Sequence, residues 1–214
     1  MDLRYFINQC EAAGQLHRVK AEVDWNMEIS HISKLTEEKK GPALFFENVA
    51  GYKTPVFTGA FATTKRLAIM LGLPHDYSIC QSAQAWMKKS ISAEGLIKAK
   101  EVKDGPVLEN VISGGRYIGT TVFVVLKDPE TGETNLGTYR MQMLDNKTCG
   151  VQILPGKRGE RIMKKYAKMG KKMPAAAVIG CDPLLFMAGT LMHKGASDFD
   201  ITGTVRGQPA EFLM

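Results

Sequence analysis

No apolar stretch in the 214 residues approaches the roughly 18 needed to span a bilayer as a helix. The first residues, Met1-Asp-Leu-Arg-Tyr-Phe, lack the architecture of a signal peptide and read as the start of a helix. The four cysteines, Cys10, Cys80, Cys149 and Cys181, form neither a CxxC nor a CxxH pair. That excludes the usual zinc ribbons and predicts reduced, partly buried thiols in a cytoplasmic protein. Equally absent are GxSxG, HExxH, a Walker loop and GxGxxG, so hydrolase, zincin, P-loop and dinucleotide-binding readings have no motif to stand on. Gly114-Gly115-Arg-Tyr-Ile-Gly119 is glycine-rich but precedes a strand, which makes it a turn. His17, His31, His75 and His193 are isolated in sequence, and only His193, near a helix end, stays a candidate.

What is present is an ordinary globular composition, 44% hydrophobic and 23% charged, with a net charge of +6. Much of the positive charge sits between Lys157 and Lys172, in a basic helix that also contains Arg158, Arg161, Lys164, Lys165 and Lys168. No helix-turn-helix, zinc-finger or aromatic stacking pattern accompanies it, so the helix reads as a solvated face or the rim of an anionic-ligand site, with no nucleic acid.

The chain falls into two parts, residues 1–105 and 106–214. In the first, Asp2 caps a helix that stops at Gly14, Leu16–Val23 alternates as a strand, and Met27–Lys39 forms a second helix. Pro42–Val49 and Pro55–Phe61 are apolar strands joined by a turn at Gly51; Thr63 caps a helix ended by Gly72, and another helix spans Ile79–Lys89. Alternation of this kind predicts a small α/β unit. In the second part strands dominate, at Val107–Ile112, Tyr117–Lys127, Thr134–Leu144 and Thr148–Leu154, with turns at Asp128–Glu133 and Asp145–Lys147. An antiparallel meander predicts a barrel or sandwich. A small-residue strand, Pro174–Gly180, precedes a helix capped by Asp182 with Pro183 first, and Phe199–Arg206 is expected to be a strand. At the end, Glu211-Phe-Leu-Met214 begins another strand pattern, which predicts a sheet completed by some further element.

The strand at Asn135–Leu144 stands apart because several polar groups interrupt its apolar pattern. Arg140 and Gln142 are two apart and project from one face of a regular strand. A guanidinium fork beside amides suits a carboxylate or phosphate; the bland alternative is an edge strand with a solvated face. Asp198 and Asp200, two apart at the expected strand entrance, offer hard oxygen ligands to a divalent cation or are ordinary loop acids.

Four segments together resemble the UbiD family of reversible decarboxylases that use prenylated flavin mononucleotide. Pro42–Val49 with Pro55–Phe61 and Lys65–Gly72 is similar to the family's N-terminal domain. Asn135-Leu-Gly-Thr-Tyr-Arg140 is similar to its central Asn-x-x-x-x-Arg strand. Ala177–Pro183 resembles its strand-to-helix junction, and Ser197–Gly203 with Arg206–Glu211 the strand pair that follows.

The resemblance implies an α+β fold: an N-terminal α/β domain and a split β-barrel of the flavin-reductase type, without the family's C-terminal domain. It implies prenylated FMN as cofactor, with Mn²⁺ or Mg²⁺ and K⁺ bridging its phosphate. It places Asn135 and Asp198 at metal-ligand positions, and Gly137, Thr138, Tyr139, Gln142, Lys157, Arg158 and Thr190 around the cofactor. Arg140 is placed beside flavin and substrate carboxylate as the catalytic residue. Lys157 stands where the family has a metal-binding His; an ammonium cannot ligate a metal but can hold phosphate. The family's catalytic carboxylates follow later than Glu211, outside these residues.

Decarboxylation uses the modified flavin as electron sink, and a carboxylic acid must then return a proton to the carbon that lost CO₂. The resemblance therefore implies a portion of a decarboxylase for aromatic, by likeness hydroxybenzoic, acids, inactive by itself. Its partners would be further copies of a longer chain or a complementing subunit. The alternative is a non-catalytic subunit that binds a flavin or phosphate.

Overall fold

The computed structural model describes residues 2–91, 100–101, 117–119, 122–145, 147–191 and 196–212. Two compact units divide the chain, Met1–Lys88 and Lys89–Met214. The expected strand at Val107–Ile112 and His193 lie outside the described residues. Among the described residues no helix is long and apolar enough to cross a membrane.

In the first unit the elements run α1 (Leu3–Ala12), β1 (Leu16–Val23), α2 (Glu28–Glu38), β2 (Ala43–Val49), β3 (Val56–Thr58), α3 (Thr64–Leu71) and α4 (Ile79–Ile91), whose last turn belongs to the second unit. The caps follow the sequence. The Asp2 carboxylate accepts from the Tyr5 N–H, and the Thr63 hydroxyl accepts from the Arg66 N–H. Gly72 ends α3 in the left-handed conformation, which costs glycine little. Helix α2 is the crossover that makes β1 and β2 parallel, while the short turn at Gly51 makes β2 and β3 antiparallel. Val23, Ile29, Leu44, Phe46 and Val49 form the core of this mixed sheet and its helix.

One charged residue is buried in that unit. Arg66 is fully enclosed; its Nε donates to the Gly59 carbonyl at 2.7 Å and its Nη1 to the Gly41 carbonyl at 2.9 Å, while Nη2 has no partner. Burial pulls its pKa below the ordinary arginine value and pushes the enclosed Cys10 thiol up to about 11. The guanidinium thus ties the entry of β2 to the exit of β3 by donating to two half-buried carbonyls.

The second unit contains β4 (Lys100–Glu101), β5 (Tyr117–Gly119), β6 (Phe123–Lys127), β7 (Thr134–Thr138), β8 (Met141–Met143), β9 (Cys149–Val151), α5 (Arg158–Lys168), β10 (Ala175–Val178), α6 (Pro183–Gly189), α7 (Asp198–Arg206) and β11 (Glu211–Phe212). Two three-stranded sheets result, ordered β10-β6-β7 and β5-β8-β9, with a parallel pair β11-β4. The expected single strands Tyr117–Lys127 and Thr134–Leu144 each divide, and each crosses from one sheet to the other. Among the described residues the sheets stay open and do not close a barrel.

Both faces of β6 are covered, which explains its unbroken apolar run. Val124 and Leu126 pack with Ile162 of α5, whereas Phe123 packs with Leu136 and Phe199 of α7. The hairpin turns are held by aspartates: Asp128 Oδ1 accepts from the Glu130 N–H, and Asp145 Oδ1 from those of Lys147 and Thr148.

The expected strand at Phe199–Arg206 is instead helix α7. Ser197 and Asp200 form a reciprocal capping box, and Gly207 closes the helix in the left-handed conformation. The alternation of Phe199 and Ile201 imitated a strand, but Thr202 and Val205 are buried too, at helical spacing. Asp198 and Asp200 therefore do not share a strand face: Asp200 serves the cap, and Asp198 opens the helix.

Replacing Arg66 with Met strands the Gly41 and Gly59 carbonyls. The urea unfolding free energy is expected to fall by about 2–4 kcal/mol, with Arg66→Lys recovering little because an ammonium lacks the planar fork. An unchanged urea midpoint in both variants would refute this role.

Candidate functional site

Strand β7 ends where the polar residues begin. Asn135, paired with Leu126 in the ladder, is 6% exposed, and its side-chain nitrogen makes no hydrogen bond. Next to it, the Leu136 N–H donates to Asp198 Oδ2 at 3.3 Å, which joins β7 to the first turn of α7. Asp198 is 8% exposed, and burial pushes its pKa up to about 6, opposed by the Leu136 N–H and by the charge of Arg158.

Tyr139 fills the step between β7 and β8. A β-carbon on Gly137 would lie 2.2 Å from the Tyr139 ring, and one on Gly159 would lie 2.2 Å from its hydroxyl. Gly137, expected to let the backbone approach a cofactor, thus leaves room for an aromatic ring of its own chain. Desolvation raises the Tyr139 pKa, countered first by the Gly159 N–H and then by the Asn135 amide. That amide lies near enough to act on the phenol, but its nitrogen lacks ordinary hydrogen-bond geometry. Since Gly159 is the second residue of α5, the phenol docks the N-terminus of that helix on β7.

Arg140 lies past the step, on the other sheet. Its backbone carbonyl accepts from the Gln152 N–H at 3.2 Å, and its Nε donates to Gln152 Oε1. With Gln142, Gly150, Val151 and Gln152 it lines an open cleft of about 340 Å³. Arg140 and Gln142 share that cleft as their spacing predicted, and the direct pairing of Gln142 with Gly150 brings a glycine opposite.

The remaining expected residues are more scattered. Lys157 is the exposed N-cap of α5 and makes no side-chain cap hydrogen bond; Arg158 is the first residue of that helix. Thr138 is exposed at the end of β7. Thr190 ends α6, exposed, with its hydroxyl donating to the Met187 carbonyl at 2.7 Å. Sequence reasoning missed Gln152, Gly150 and Gly159. The first two were countable, because the Asp145 turn fixes the register that sets them opposite Arg140 and Gln142.

Comparison with known proteins supplies the context. Residues 7–86 match the 3-octaprenyl-4-hydroxybenzoate carboxy-lyase N-terminal domain, and residues 110–214 match the 3-octaprenyl-4-hydroxybenzoate carboxy-lyase Rift-related domain. The chain belongs to the UbiD family.

An uncharacterized protein of Archaeoglobus fulgidus is 35% identical over 96% of this chain and 48% of its own length. The pyrrole-2-carboxylic acid decarboxylase of Pseudomonas aeruginosa is 28% identical over all of this chain and 48% of its own. Among solved structures, the vanillic acid decarboxylase of Sedimentibacter hydroxybenzoicus superposes with a TM-score of 0.84 at 25% identity, covering 99% of this chain and 50% of that one. An evolved dimeric form of the UbiD-class enzyme HmfF from Pelotomaculum thermopropionicum, in complex with prFMN, gives 0.82 at 25% identity, covering 99% and 52%. The chain thus spans about half the length of the curated relatives it matches.

The UbiD resemblance implied both a flavin and a metal, and the geometry treats them differently. Toward a flavin phosphate, the start of α5 presents the exposed cations Lys157 and Arg158, beside Glu160 in the same turn. For a divalent cation, Asn135 and Asp198 supply two oxygen donors, but the Arg158 charge already acts on Asp198. Among the described residues no group of three His, Cys, Asp or Glu side chains could hold a metal ion. The described residues therefore do not complete a metal site.

The raised pKa of Asp198 fixes the sign of a pH effect. The folded chain holds this proton up to about pH 6, whereas the unfolded chain releases it near the ordinary 3.8. Stability from this group is therefore present at low pH and is lost as pH rises from roughly 4 to 6, by up to about 3 kcal/mol. Asp198→Asn is expected to flatten that limb and raise the thermal midpoint at pH 7.5. An unaltered pH profile of thermal unfolding would contradict it.

Proposed function

We propose that this chain is the cofactor- and carboxylate-binding portion of a prenylated-FMN-dependent, reversible decarboxylase of aromatic or heteroaromatic acids. The observation that carries the reading is the pairing of two features on one step of chain. On one side lies the start of α5, where Lys157 and Arg158 are exposed cations that suit a phosphate. On the other lies Arg140, exposed in a cleft and suited to a carboxylate. The substrate classes named for the relatives, a pyrrole carboxylic acid and vanillic acid, support an aromatic carboxylate of this size, and a hydroxybenzoic acid remains the leading choice.

In this reading Lys157 and Arg158 would hold the flavin phosphate, with the unpaired Asn135 amide nitrogen as a further donor. When bound, the prenylated flavin supplies the electron sink for breaking the bond to the carboxylate. Arg140 grips the substrate carboxylate in a bidentate manner and orients it, while Gln142 adds an amide on the same face. A proton must afterwards reach the carbon that lost CO₂. A guanidinium is a poor proton donor. None of the five residues lining the cleft carries a carboxyl group. The proton donor is therefore proposed to come from outside the residues that line this cleft, from elsewhere in a longer chain or from a second subunit. That same feature favours, as second reading, a flavin- or phosphate-binding subunit without chemistry of its own.

FMN titrated into the 214-residue chain is expected to lose fluorescence on binding. Arg158→Glu should weaken that binding by about tenfold or more, the effect of reversing one charge-assisted contact. The same chain loaded with prenylated FMN should show no exchange of ¹³C-bicarbonate into 4-hydroxybenzoate. Absence of FMN binding would remove the flavin reading, and brisk exchange would show that the proton donor lies within these residues.

A further inference from the structure

Gln152 has no role in the reading above, yet it makes the most specific contact in the cleft. Strands β8 and β9 pair Met141 with Val151 and Gln142 with Gly150, so Arg140 and Gln152 stand directly opposite, one step past the ladder. They are joined twice, by the Gln152 N–H to the Arg140 carbonyl and by Arg140 Nε to Gln152 Oε1. Among the described residues Arg140 makes no ion pair, and its two terminal nitrogens make no hydrogen bond.

The chemistry of the contact is selective. A guanidinium presents two forks of donors, one that includes Nε and one made of Nη1 and Nη2. A neutral amide oxygen on Nε engages the first, leaves the second open, and leaves the positive charge whole. A carboxylate at position 152 would satisfy the same geometry but cancel the charge and repel an anionic ligand. Gly150 widens the space beside the open fork: a β-carbon built there meets nothing within 4 Å.

We infer that Gln152 is a positioning residue that holds Arg140 with its Nη1 and Nη2 fork turned into the cleft. Arg140, Gln142, Gly150 and Gln152 then form a subsite for the planar carboxylate of an aromatic acid. This inference rests on the proposed carboxylate role of Arg140.

Benzoate titrated into the ¹⁵N-labelled 214-residue chain, followed by calorimetry and by the Arg140 Nε–H resonance, tests it. Gln152→Ala should move that resonance without ligand and weaken benzoate by about tenfold, the upper range for one hydrogen bond. Gln152→Glu should keep Nε–H bonded yet weaken benzoate further than Ala does, an order that a merely structural role would not produce. Gly150→Val, placed in open space, should abolish benzoate binding with the Nε–H resonance and urea midpoint unchanged. Equal benzoate affinity in wild type, Gln152→Ala and Gln152→Glu, or an Nε–H resonance indifferent to Gln152→Ala, would overturn the inference. So would a wild-type chain that takes no benzoate; if that chain still quenched FMN, the flavin reading would survive alone. Benzoate binding that depends on Gln152 in a chain that takes no FMN would uphold the subsite and remove the flavin reading.

Discussion

The seating of Tyr139 between Gly137 and Gly159 is the constraint on which the candidate site depends. The ring occupies the space that a β-carbon at either glycine would need, and its hydroxyl meets the N-terminal turn of α5. That one side chain ends β7, sends the next residue to a second sheet, and holds the basic helix against the first. Asn135 and Arg140 are separated by four residues, yet they serve different surfaces because Tyr139 fills the corner between them. The apolar neighbours of the ring, Val124, Leu126, Met141 and Ile162, come from both sheets and the helix, so the corner is also part of the core.

Two polar environments follow from that corner. Inside it, Asn135 and Asp198 are deprived of water, and the price appears as an unpaired amide nitrogen and a carboxyl that holds its proton up to about pH 6. The charge of Arg158 opposes the upward shift at Asp198. Outside it, Arg140 lines an open cleft, with a neutral amide on one edge of the guanidinium.

Much of this was legible in the chain. The caps at Asp2, Thr63 and Asp182, the stop at Gly72 and the aspartate turns each follow from one residue acting on its neighbours' backbone, which is local physics. The shared face of Arg140 and Gln142 followed from strand period. Helix α7 was misread because Phe199 and Ile201 alternate, although Ser197 and Asp200 already spelled its capping box. The break after Thr138 had no local signal. A tyrosine inside an apolar strand looks the same whether the strand continues or turns a corner.

The sequence by itself determined the local elements, the family likeness, and the candidate residues Asn135, Arg140 and Asp198. Only the tertiary structure decided how those residues divide. Burial is a property of what packs over a residue from distant parts of the chain, and among the described residues Asn135 and Asp198 are buried while Arg140 is exposed. The partnership of Arg140 with Gln152 is likewise decided by strand pairing, since a guanidinium chooses its fork by what stands across from it in space.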